Sequence, residues 1–188
     1  MSLALRQHIE KMIALTDAEF DVVLSKFSVK KLKKHQFLVQ EGSTVLHDYW
    51  VVKGLLKAYH TDEDGKVHIL QFAMEDWWIS DYQSLVYHIP ASINIDCIED
   101  SELLVISAED RELLCNEMKG MANFFRKKSH AGYVALQQRI LFLLNKNPQE
   151  RYNRFLKLNP KLLQRLPKTL LAAYIGVSRE TLSRLSHP

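Results

Sequence analysis

The stretch from Leu166 to Leu185 constrains this chain more than any other. Leu170, Ala173 and Tyr174 recur at helical spacing ahead of Gly176. Thr169 is placed to cap that first run, its hydroxyl accepting an orphan backbone N–H, and Ser178 is placed to cap a second. Gly176 falls where the first helix has to stop, because glycine accepts the left-handed conformation that ends helices. Ala172 and Ala173 are small enough for a second helix to pack closely, with Val177 and Leu182 filling the space between. The pattern predicts a helix-turn-helix with Arg179, Glu180, Ser183 and Arg184 on its outer face. A guanidinium makes two bonds to the major-groove edge of guanine, and a carboxylate accepts from the amino group of cytosine. Arg179, Glu180 and Arg184 are therefore candidate base contacts, with Ser183 a further DNA-binding candidate on the same face. Lys168, Thr169 and Ser178 are candidate phosphate contacts, which position a protein on DNA without specifying sequence. An ordinary helical hairpin with a solvated charged face has the same spacing.

Charge distribution separates the two readings further than the spacing does. The net charge of the 188-residue chain is only +3. From Pro148 onward, however, Arg151, Arg154, Lys157, Lys161, Arg165, Lys168, Arg179 and Arg184 are opposed by Glu150 and Glu180 alone. A basic end beside a near-neutral remainder is the electrostatic footprint of nucleic-acid binding, although a solvated basic surface looks the same. With 47% hydrophobic and 25% charged residues the composition is that of an ordinary globular chain. No apolar run reaches the length of a membrane span, and the N-terminus lacks the apolar core of a signal peptide. A cytoplasmic location is the expectation. Cys97 and Cys115 form no CxxC pair, so they are expected to be buried thiols rather than a disulfide framework.

Ahead of this end the periodicity changes twice. Residues 1–26 are expected to be helical, with Thr16 and Glu19 forming a capping box and Phe20, Val23, Leu24 and Phe27 an apolar stripe. From Val29 to Ser107 the pattern is one of short strands: Phe37–Gly42, Tyr49–Gly54, Leu55–His60, Lys66–Phe72, Ser92–Ile98 and Glu102–Ser107. Asp62-Glu-Asp-Gly65 marks a tight hairpin, since Asp-Gly accepts the positive φ angles such turns require. Many short strands with regular turns argue for a sandwich or roll. Residues 108–145 then return to helical spacing. Met121, Phe125, Gly132, Leu136, Ile140 and Leu143 form a candidate interhelical seam, with Phe124, Tyr133 and Leu144 off it and available to the roll. Asn145 to Pro148 breaks the pattern, and Pro148–Leu158 and Pro160–Leu166 are expected to be helices with proline in the first turn.

The wording Gly176-Val-Ser-Arg-Glu-Thr-Leu-Ser-Arg184 closely resembles the recognition helix of the Crp/Fnr family of bacterial transcription regulators. The run from Gly42 through Tyr49-Trp-Val-Val-Lys-Gly54 to Phe72 is similar to the front of a cyclic-nucleotide-binding β-roll. The resemblance covers nearly the whole chain. It implies an α+β fold: an N-terminal jelly-roll-like β-roll with flanking helices, a long dimerisation helix and a C-terminal helix-turn-helix domain. The expected boundaries are 1–117, 118–147 and 148–188. It implies a homodimer on a near-palindromic double-stranded DNA operator, with RNA polymerase and an unknown small-molecule effector as further candidate partners. Neither enzymatic activity nor a cofactor is expected.

The expected effector pocket departs from the family pattern. Where members that bind cyclic AMP carry Gly-Glu, this chain carries Ser80-Asp81. Where they carry Arg-Ser/Thr-Ala, it carries Ala91-Ser92-Ile93. Glu75 also replaces a glycine ahead of Asp76. A charge-assisted hydrogen bond is worth about 1.5–3 kcal/mol, and a buried phosphate without its cation costs several kcal/mol more. The chain is therefore expected not to respond to cyclic AMP or cyclic GMP. Trp77 and Trp78, with Tyr82 and Tyr87, either line an apolar cavity or fill the roll. No cysteine cluster suits an iron–sulfur sensor, and no pair of histidines has metal-ligand spacing. The chain also stops directly after the recognition helix, where many members continue into a wing or a longer helix, which predicts fewer DNA-backbone contacts. Two other readings fit less of the sequence: a small-molecule-binding or scaffold protein that has lost DNA regulation, and a cupin-type metalloenzyme, which would need clustered His and Glu ligands.

Overall fold

The computed structural model describes residues 1–145 and 147–186; Lys146, in the expected break, and the last two residues of the chain lie outside them. The N-terminal helical stretch is two helices, α1 (Ser2–Glu10) and α2 (Asp17–Ser25). The capping box is the reason the single expected helix is divided. Thr16 Oγ1 accepts from Glu19 N while Thr16 N donates to Glu19 Oε2 at 2.8 Å, with Thr16 extended at ψ 164°. A residue in that conformation starts a helix and ends whatever precedes it.

Eight strands follow: β1 (Ser28–Leu32), β2 (Phe37–Val39), β3 (His47–Lys53), β4 (Leu56–Thr61), β5 (Val67–Ala73), β6 (Trp78–Ile79), β7 (Asn94–Cys97) and β8 (Ser101–Ser107). A short helix, α3 (Tyr82–Tyr87), separates β6 from β7. The strands form two four-stranded sheets, in the orders β1-β8-β3-β6 and β2-β7-β4-β5. β3 runs antiparallel to β8, with Tyr49 opposite Val105 and Trp50 opposite Leu104. Their sequences are continuously apolar because both faces are covered. Tyr49, Val51, Leu103 and Val105 belong to the core that also holds Leu56, Ile95 and Cys97. Trp50, Leu104 and Ile106 belong to a second core with Leu5, Ile9, Phe20, Val23, Leu114 and Phe124. Gly54, between β3 and β4, has φ +112°, and a Cβ there would lie 2.7 Å from Ser101 Cα and closer still to its Oγ. Only glycine fits that approach.

The helices of the second half are α4 (Ala108–Glu117), α5 (Lys119–Asn145), α6 (Pro148–Leu158), α7 (Pro160–Leu163), α8 (Lys168–Ile175) and α9 (Arg179–Ser186). The expected single helix from Ala108 is broken at Met118, whose backbone is extended at φ −126° and ψ 101° while its side chain packs on the second core. By internal contacts the chain forms two compact units, Met1–Ala58 with Phe72–His130, and Tyr59–Gln71 with Ala131–Pro188. Among the described residues no helix is long and apolar enough to cross a membrane.

Candidate DNA-reading surface and effector region

α8 and α9 form the helix-turn-helix. Gly176 is left-handed at φ 76° and ψ 43°, and its amide bonds back to Ala172 O at 2.9 Å, as does that of Val177 at 3.0 Å. The turn is thus built by main-chain geometry that glycine makes inexpensive. Ser178 caps α9, its Oγ accepting from Thr181 N at 3.1 Å. Thr169, by contrast, does not cap α8. Pro167 occupies that position with no side-chain bond, because the proline preset the first-turn geometry two residues earlier than the threonine. Leu171, Ala172, Ile175 and Leu182 are buried between the helices and their supports.

Burying Leu182 fixes the rotation of α9. Arg179, Glu180, Ser183 and Arg184 all stay exposed, as do Lys168, Thr169 and Ser178. The spacing i, i+1, i+4, i+5 gathers the first four on one helical face. Main-chain N–H at the start of α9, followed by Ser178 and the charges of Arg179 and Arg184, hold the Glu180 carboxyl below the usual carboxylate range. It is therefore ionised, an acceptor flanked by two guanidinium donors.

The effector candidates are brought only partly together. Trp77, just ahead of β6, packs on the core between the sheets and Trp78, at its start, on the helix-covered core, so these two neighbours point to opposite sides. Trp78 Nε1 donates to His8 Nε2 at 3.1 Å, and its ring meets Phe124 and Phe125 edge-on. Ser80 Oγ donates to His47 O at 2.8 Å. Asp81, 3% exposed, is the N-cap of α3. One carboxylate oxygen accepts from Ser84 N at 3.1 Å, and the other from Ser92 N at 2.8 Å and Ser92 Oγ at 3.3 Å. Ala91 is buried, with its N–H and C=O taken by Ser43 and Gly42 at 2.8 Å each. Glu75 Oε1 accepts from Gly54 N at 2.9 Å, so the residue that replaces the family's glycine steadies the β3–β4 turn. Among the described residues no cluster of three or more His, Cys, Asp or Glu side chains can hold a metal.

The predicted seam on α5 divides in two. Met121 and Phe125 are 0% and 5% exposed and lie in the second core. Side chains so covered cannot face another copy, which corrects the expectation for these two. Gly132 is exposed. Leu136, Ile140 and Leu143 are 56%, 49% and 41% exposed. Phe124 is buried as expected for a residue off the seam, whereas Tyr133 and Leu144 are 70% and 75% exposed. Tyr133, Leu136, Gln137, Ile140 and Leu141 line a surface groove of about 150 Å³. Sequence reasoning missed Arg139 and Arg151, which bond to the end of α8. Arg151 is visible in the sequence only as part of the basic end, and Arg139 only as one charged residue of a helix, because helical spacing does not say what a side chain reaches.

A β-roll, a long helix and a helix-turn-helix follow one another along the chain. Residues 29–118 match the family described as the cyclic nucleotide-binding domain, and the solved structures that the chain resembles include Crp/Fnr transcription regulators. FixK2 from Bradyrhizobium japonicum is 18% identical, with a TM-score of 0.75 over 85% of this chain and 82% of that one. The catabolite activator protein of Thermus thermophilus is 25% identical, with a TM-score of 0.59 over 93% and 83%. A structure described as a Crp/Fnr-family transcriptional regulator from Eubacterium rectale is 16% identical, with a TM-score of 0.69 over 91% and 82%. No curated protein matches this sequence.

Proposed function

We propose that this protein is a non-enzymatic, cytoplasmic, homodimeric regulator that reads DNA with α9 and does not respond to cyclic AMP. The observation that carries the reading is the division of α9 into a buried edge at Leu182 and an exposed face of Arg179, Glu180, Ser183 and Arg184. Such a face presents two forked donors and one ionised acceptor to a major groove. The exposed apolar residues Leu136, Ile140 and Leu143 support pairing of α5 with a second copy, which would set two recognition helices about one turn of DNA apart.

The case against a cyclic nucleotide rests on Asp81 and Ala91. The buried Asp81 carboxylate already accepts three hydrogen bonds from Ser84 and Ser92, which leaves it one acceptor site at most for a ribose hydroxyl. Ala91 supplies no cation to a phosphate. The decisive experiment is selection of the full-length protein on a randomised duplex pool at two salt concentrations. Enrichment of a near-palindrome that weakens with salt, as phosphate contacts require, supports the reading. No enrichment at low salt refutes DNA reading by the unliganded protein and turns attention to the scaffold alternative. Calorimetry with cyclic AMP tests the second part, which micromolar binding would refute.

A further inference from the structure

The end of α8 is held by two arginines from outside the helix-turn-helix. Because Gly176 turns left-handed, the carbonyls of Ala172 and Ala173 accept from the turn amides, while those of Tyr174 and Ile175 accept from arginines outside the motif. Arg139, on α5, donates its Nη2 to Tyr174 O and lies with its guanidinium carbon 3.6 Å from the centroid of the Tyr174 ring. The same Nη2 is 3.5 Å from Ile69 O of β5. Arg151, on α6, donates its Nε to Ile175 O at 2.8 Å. Arg154 Nη2 reaches back to Gln138 Oε1 at 3.1 Å, tying α6 to α5. All of these groups belong to the unit formed by Tyr59–Gln71 and Ala131–Pro188.

The arrangement has a physical cost that needs a purpose. Burial first, and the nearby charge of Arg151 as well, push the Arg139 pKa down. Two like charges brought together in a half-buried place separate unless something negative lies between them. The C-terminus of α8 is that negative group, with about half a negative charge concentrated on its last carbonyls. The Tyr174 ring adds a face that a guanidinium favours. Neither arginine is on the exposed face of α9, and neither resembles a base-reading residue by position.

We infer that Arg139 and Arg151 are positioning residues for DNA recognition, clamping the carbonyl end of α8 and so fixing the angle at which α9 is presented. The turn at Gly176 is a single left-handed residue between two short helices. With the clamp in place, α8 cannot rotate against α5 and α6, and α9 follows α8. Without it the buried Leu182 still attaches α9, but the direction of Arg179 and Arg184 is no longer set. Base-edge contacts depend on that direction, whereas phosphate attraction depends mainly on charge. Loss of the clamp therefore costs specific binding more than general DNA binding.

This inference rests on the DNA-reading proposal above, so its test has one arm that needs no DNA. The full-length protein is compared with Arg139→Gln and Arg151→Gln by hydrogen exchange of the amides from Gly176 to Leu182. The same three proteins are titrated against the selected operator and an unselected duplex over a range of salt. Each variant is expected to exchange faster in the turn and to lose operator affinity by about tenfold or more, as expected on removing a charge-assisted bond. Affinity for the unselected duplex should fall by less than about threefold, with the salt slope unchanged, because no phosphate contact is removed. Unchanged exchange overturns the clamp. Equal losses on both duplexes with a shallower salt slope also overturn it, since the arginines would then be phosphate contacts. If the wild-type protein enriches no duplex, the DNA-reading proposal fails and the exchange arm alone decides the clamp. Should Arg139→Gln fail to fold, Arg139→Lys keeps the cation without the fork and stacking plane. It is expected to hold the melting temperature and still lose preference for the operator.

Discussion

Two buried groups in the N-terminal unit titrate in opposite senses over the same pH range. His8, on α1, is 4% exposed. Its Nε2 accepts from Trp78 Nε1 at 3.1 Å, so the ring is neutral with its proton on Nδ1, 3.6 Å from Asp76 Oδ1. Burial, helped by Lys128 and Lys11 and opposed by Asp76, pushes its pKa from 6.5 down to about 4. Asp48, on β3, is 3% exposed. It accepts from Tyr82 Oη at 3.1 Å, Tyr49 N at 3.0 Å and Arg111 Nη1 at 3.1 Å. Burial outweighs all three and raises its pKa from 3.8 to about 6. Between pH 6.5 and 4 the unfolded chain protonates His8 and the folded chain does not, so stability falls as pH falls, by about 3 kcal/mol across the window. Between pH 6 and 3.8 the folded chain keeps a proton on Asp48 that the unfolded chain releases, so stability falls as pH rises, by about 3 kcal/mol. The two slopes nearly cancel. Removing either group exposes the other. Relative to wild type, Asp48→Asn should lose about 2–3 kcal/mol more on going from about pH 6.5 to about pH 4.5, and His8→Gln should gain a similar amount. His47, whose pKa burial also lowers, acts with His8 and is common to all three proteins. Urea unfolding at closely spaced pH values measures each profile. If both variants follow the wild-type profile to within about 0.5 kcal/mol, the assigned burial of these charges is wrong.

Three further outcomes follow from the same geometry. Arg179→Ala and Arg184→Ala should each weaken operator binding by about 1–3 kcal/mol and relax specificity, measured by titration against operator variants; unchanged affinity would remove α9 as the reading helix. Ile140→Glu places a charge in the exposed apolar stretch of α5, where it should leave the monomer's melting temperature nearly unchanged and shift the protein to monomer in sedimentation; a stable dimer would place the interface elsewhere. Gly54→Ala should lower stability by more than about 2 kcal/mol, the cost of a strained left-handed residue plus a main-chain collision, with a near-neutral result in urea unfolding showing that the β3–β4 turn can draw away from Ser101 at the start of β8.

What the sequence made legible was whatever is settled within a few residues. The Thr16–Glu19 box, the Asp62–Gly65 turn, the stop at Gly176 and the cap at Ser178 are all local, and each is where the periodicity put it. The misses share another cause. Periodicity says which side chains lie on one face but not what covers that face. Met121, Phe125 and Leu136 lie on one predicted stripe, yet the roll and α1 cover the first two while the third is left 56% exposed. The stripe therefore changes partner along its length, from the protein's own core to whatever meets Leu136, Ile140 and Leu143. The same limit applies to Asp81. Its residue type suggested a short substitute for a ligand-binding glutamate, but Ser84 belongs to a helix, α3, that the strand pattern did not predict, and Ser92 to the segment between α3 and β7. A carboxylate that the sequence shows only as a shorter acid is thus largely engaged in holding α3 and Ser92 in place, and on the proposed reading an effector would be recognised mainly by other groups.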